Sequence, residues 1–133
     1  MKRKQLYIVF LPAILFLCLS ACQATVGGTK GGERHELKRS ITMPNRWEVI
    51  IRQDVKSVHD AAVAGVKDLG LNITTSRVDR LSGMVRGSFA DNKDFEIKLS
   101  YEAQGITLMG IKVGLIGDKI LSVKLFQSIE KHL

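Results

Sequence analysis

A chain of 133 residues with a formal charge of +7 is long enough for one domain and too short for two once a leader is set aside. The charge is unevenly spread: Lys2, Arg3 and Lys4 stand at the N-terminus, residues 23–46 balance at +3, and residues 47–133 hold 12 Lys and Arg against 11 Asp and Glu. A nearly neutral folded part argues against nucleic-acid binding, which needs positive charge on the folded surface or on a dedicated arm.

Residues 1–21 have the three parts of a secretory leader: the cationic start, an apolar run from Leu6 to Leu19, and the small residues Ser20 and Ala21. The run covers about 14 residues where a spanning helix needs roughly 20, and Pro12 interrupts it. Leu19-Ser20-Ala21-Cys22 resembles the lipobox of bacterial lipoproteins. That resemblance implies cleavage between Ala21 and Cys22, a diacylglyceryl group on the Cys22 thiol, and acylation of the new amine. Two or three acyl chains hold a protein on a membrane where one alone holds it marginally. The resemblance also implies a bacterial envelope address. With Gln23 and not Asp after the cysteine, it points to the periplasmic face of the outer membrane in a Gram-negative host. Cys18 would leave with the leader and Cys22 would become a thioether. Neither a disulfide nor a thiol nucleophile is then left.

Residues 22–46 read as the lipidated cysteine and a flexible tether. From Gln23 to Ser40 the composition is glycine, threonine and charge, with two Gly-Gly pairs and no period. Such a segment reaches on the order of 20–25 Å. Gly27-Gly28-Thr29-Lys30-Gly31-Gly32 lacks the Gly-Lys-Ser/Thr ending of a phosphate loop and has no strand before it.

Residues 47–133 read as a single domain. Trp47 to Arg52 alternates as a strand. Asp54 caps a helix whose stripe is Val55, Val58, Ala62, Val66 and Leu69, and Gly70 ends it. Leu71–Asp79 and Met84–Phe89 are strands about the turn Arg80–Gly83. Asp94–Glu102 alternates Phe95, Ile97, Leu99 and Tyr101 with polar residues, which is the antiparallel pattern of one buried and one wet face. Ile106–Val113 is apolar on both faces and belongs centrally or under cover on both sides. Asp118 caps a last helix with Leu121, Leu125, Ile129 and Leu133 in its stripe. The order β-α-β-β-β-β-α predicts an α+β fold, an antiparallel sheet of about five strands with both helices on one face. A sheet curled round the last helix in a helix-grip manner is one form of it.

Asp54 with the helix Ala61-Ala62…Leu69-Gly70, then Asp79-Arg80-Leu81-Ser82-Gly83, then Val113-Gly114…Gly117-Asp118 resembles a family of short bacterial lipoproteins catalogued as a domain of unknown function. The resemblance covers about residues 47–133 plus the lipobox. It implies fold and address and brings no catalytic residues with it.

The residues themselves offer few chemical candidates. His35, His59 and His132 share no ligand spacing and read as surface histidines, so no metal is expected. Asp79 and Asp91 stand where turns want them, and Asp118 stands where a cap does. The Gly114-x-x-Gly117-Asp118 junction resembles an anion-binding helix start, but Asp118 would occupy those amides itself. Trp47 reads as a core or rim residue. The outer face of Ile106–Val113, with Leu108 and Gly110, is the candidate partner surface. The expectation is a non-enzymatic interaction or envelope accessory module that needs no cofactor, with a protein partner in the envelope. The alternative is a small-ligand or lipid binder using a pocket between the sheet and the C-terminal helix.

Overall fold

The computed structural model describes residues 35–133. The leader, the cleavage pair Ala21 and Cys22, and the tether as far as Arg34 lie outside the described residues. Along those residues run β1 (Lys38–Arg39), β2 (Trp47–Ile51), α1 (Val55–Asp68), β3 (Asn72–Val78), β4 (Ser82–Ser88), β5 (Asp94–Ala103), β6 (Ile106–Val113) and α2 (Lys119–Glu130). The fold is α+β. One six-stranded sheet has the order β1-β2-β6-β5-β4-β3 and is antiparallel at every pairing.

Local chemistry explains both ends of α1. Asp54 Oδ1 accepts from the Ser57 amide at 2.9 Å, supplying a partner for one of the amides that a helix start leaves open. At the other end Gly70 has φ +67°, its amide donates to Lys67 O, and the Leu71 amide donates to Val66 O. This pair of bonds closes the helix in a Schellman turn, which needs the left-handed residue that glycine supplies. Asp118 repeats the N-terminal arrangement for α2, accepting from the Leu121 amide at 3.0 Å.

The strand register turns alternation into a core. Trp47, Ile111, Ile97 and Val85 stand in one row across four strands, and Val49, Met109, Leu99 and Gly83 stand in the next. Both rows point to the same side. There they meet Val55, Val58, Ala61, Ala62 and Val66 of α1 and Leu125, Phe126 and Ile129 of α2. Helix α1 covers β3, β4 and β5 and reaches β6, while α2 lies over β6 and against α1. The two helices therefore share the sheet. Their crossing is close at Gly65, where an added Cβ would fall 2.6 Å from the Ile129 backbone, and Ser128 Oγ donates to Gly65 O at 2.8 Å.

The structure moves one boundary. Residues 35–46, placed in the flexible tether, belong to the folded unit: Lys38–Arg39 pairs with the edge of β2, Ser40 and Arg46 are buried, and His35 stacks edge-on against Phe126. A two-residue strand carries no readable period. It forms because β2 offers an unpaired row of backbone groups. Among the described residues the sheet thus has six strands where about five were expected, and β6 does lie centrally.

Candidate functional site

Among the described residues no helix lies on the second face of the sheet, whose side chains are those that alternate with the core rows. They gather round one carboxylate. Glu96, on β5, takes Arg46 Nη2 on Oε1 at 2.7 Å and Arg86 Nε on Oε2 at 2.7 Å, with Lys98 Nζ 3.6 Å away. The register explains the Arg86 contact, since Arg86 and Glu96 face each other across β4 and β5. It does not explain Arg46, which precedes β2 and must cross β6 to reach β5. Gly110 makes the crossing possible: a Cβ there would stand 2.5 Å from Arg46 Cδ. The glycine is the groove in which the arginine lies.

Partial burial pushes the Glu96 carboxyl up. The Arg86 hydrogen bond and the charges of Lys98, Arg86 and Arg46 together outweigh that and hold its pKa below the ordinary 4.5. A carboxylate so engaged is a structural counter-ion and an unpromising general base. On the same face, in the row of Leu108 and Ser100 and not in that of Glu96, Ile50 of β2 is 61% exposed. The open face thus offers a cationic network and, further along it, an exposed isoleucine, a composition suited to contact with another surface. Of the two residues singled out on β6, Leu108 is half-buried and Gly110 is covered by Arg46. The apolarity of that strand is therefore smaller in space than in sequence.

The remaining candidates are absorbed by structure. Asp54 and Asp79 line an open cleft of about 380 Å³ with Val55, Lys56, Val78 and Arg80. Asp79 accepts from the Leu81 and Ser82 amides, both at 2.8 Å, and these bonds with that from Ser82 Oγ hold its pKa down. Asp54 is held down likewise, chiefly by the Ser57 amide. Asp91 accepts from the Lys93 amide. Asp118 is held down first by its bond from the Leu121 amide, with Lys93 adding to it. Trp47 is half-buried, and its Nε1 donates to Gly117 O at 3.2 Å.

The histidines correct the sequence reading. His59 is buried, not a surface residue, and its Nε2 shares a 3.0 Å hydrogen bond with Ser76 Oγ. The signal was present, because 55, 58, 59, 62 and 66 form one helical stripe. His35 lies under cover beside Phe126, with Nδ1 3.4 Å from Glu130. His132 pairs with Asp68. Among the described residues no group of three His, Cys, Asp or Glu could hold a metal, and no helix is long and apolar enough to cross a membrane.

The Glu96 network escaped sequence reading because its members stand at 46, 86, 96 and 98, with the groove at 110. Only the adjacency of β4, β5 and β6 unites them.

No curated protein matches the chain. A family described as a protein of unknown function, DUF3568, matches residues 5–132. The match takes in Cys22 and reaches further toward the N-terminus than residues 47–133. On that span the chain belongs to the DUF3568 family.

Proposed function

We propose that this protein is a lipid-anchored component of the bacterial envelope, held by acyl chains on Cys22, whose folded part acts as a non-enzymatic interaction module. The observation that carries the reading is Leu19-Ser20-Ala21-Cys22 at the end of an apolar leader. The family match supports it by running through that segment, as expected if leader and domain form one inherited unit. Gln23 favours the outer membrane, with the domain facing the periplasm. The open face round Glu96 and Ile50 is the surface offered to an envelope protein partner. A ligand pocket between the sheet and α2 has less support, since Met109, Ile111, Leu125, Phe126 and Ile129, all at most 3% exposed, occupy that space.

The test is labelling with palmitate in a Gram-negative host, followed by separation of the two membranes. Wild type should label and run with the outer membrane. Cys22→Ala should accumulate as a larger, unlabelled precursor. Normal maturation and labelling of Cys22→Ala would end the lipoprotein reading; wild type in the inner membrane would end only the outer-membrane assignment.

A further inference from the structure

A rigid turn at one end of the sheet presents aliphatic side chains for which the core has no use. Leu115, Ile116 and Ile120 are 90%, 83% and 80% exposed, and the neighbouring β1–β2 loop adds Ile41 and Met43. Connecting turns ordinarily favour Gly, Asn, Asp and Ser, so consecutive large aliphatics there call for a separate reason.

The turn is held in place. Gly114 and Gly117 have φ +68° and +75°, and an added Cβ at Gly117 would lie 2.1 Å from Asn45 O. Trp47 Nε1 donates to Gly117 O, Asn45 Nδ2 donates to Leu115 O at 3.4 Å, and the Asp118 amide donates to Val113 O at 2.8 Å. Backbone order is thus in place before any partner arrives, and binding need not supply it.

The surroundings are cationic and aromatic. Lys119 Nζ lies 5.3 Å and the Arg39 guanidinium 5.8 Å from the Trp47 ring centroid. Lys124 stands one helical turn beyond Ile120 and is exposed. Two of the nearby carboxylates are engaged: Asp118 caps α2 and lies 3.5 Å from Lys93, and Asp91 accepts from the Lys93 amide, while Asp94, whose carbonyl takes the Gly114 amide, is exposed.

We infer that this tip seats in the headgroup region of an anionic bilayer, with Leu115, Ile116 and Ile120 below the phosphates and Lys119, Lys124 and Arg39 among them. Apolar side chains beside tryptophan and cations are what a membrane interface selects, and anionic lipid attracts the cations. The lipid anchor adds to this and is the one clause that rests on the proposed function. An anchor on the same chain would keep the tip at high effective concentration beside the bilayer.

The experiment uses mature protein isolated from envelopes, carrying either Ile116→Cys or Gln104→Cys, the latter in the exposed β5–β6 turn at the far end of β6. Each is labelled with an environment-sensitive fluorophore, located by peptide mass, and reconstituted in phosphatidylcholine vesicles with or without phosphatidylglycerol. Nitroxide-bearing acyl chains serve as quencher. The label at 116 should shift to the blue and be quenched, more with phosphatidylglycerol present, while the label at 104 stays in water. Equal behaviour of the two labels overturns the inference. So does a blue shift at 116 without nitroxide quenching, which would put a second copy of the chain over the tip. Intact mass in the same samples reads the acyl groups. Their absence would sink the anchor, whereas quenching at 116 would still uphold the tip.

Discussion

The two faces of one sheet are stabilised by different physics. On the helix side Ile51, Ile97, Ile111 and Met109 are fully buried, and their contribution is area removed from water, non-directional and insensitive to pH. On the open side Glu96 answers to Arg46, Arg86 and Lys98, and the contribution is directional, partly screened by water and lost in acid. Because successive residues of a strand face opposite ways, Ile97 and Glu96 are neighbours in the chain and belong to different regimes. The core face makes the domain stable. The open face, with its charges already arranged, is the one proposed above for recognition.

The sharpest way to expose that contrast is to damage each face and compare. Leu99→Ala, in the buried row beside Met109, should cost about 2–5 kcal/mol, as truncation of a buried leucine does. Urea unfolding of the full chain in detergent measures it, and a loss below about 1 kcal/mol would mean that the core is not packed as described.

Glu96→Gln should cost less, about 1–2 kcal/mol at neutral pH, since half-exposed Arg86 and Lys98 leave the network partly screened. Its pH dependence carries a sign. The folded-state pKa of Glu96 is depressed, so its stabilisation is present above the ordinary 4.5 and is lost as pH falls through the folded value. Stability of Glu96→Gln should therefore fall less steeply below pH 4.5 than that of wild type. Parallel acid profiles for the two proteins would refute the network's role.

The smallest effect belongs to Ile50→Ser. At 61% exposure it should change stability by less than about 0.5 kcal/mol, yet weaken crosslinking to the envelope partner proposed above. Unchanged crosslinking would remove the open face from the proposed function.

Much of the frame was legible in the residues alone. The spacing of Val55, Val58, Ala62 and Val66 specifies α1, the alternation from Phe95 to Tyr101 specifies β5, and Asp54, Gly70 and Asp118 mark helix ends. These signals are local: a helical period, a two-residue alternation or a cap involves partners within a few positions, so the sequence states them directly. The antiparallel α+β class follows from their order.

Non-local partnerships were hidden. Lys38–Arg39 is a strand only because β2 has an open edge, the His59 bond to Ser76 exists only because β3 lies against α1, and Gly110 matters only because Arg46 lies in it. The Glu96 network likewise waits on the register of β4 against β5 and on Arg46 crossing β6. By itself the sequence determined the helices and the central strands. The tertiary structure alone decided which charges meet on the open face and that the aliphatic turn at Leu115 and Ile116 stays outside the core. Such choices depend on residues up to 70 positions apart, as between Trp47 and Gly117, and chain closure over that distance leaves no period to read.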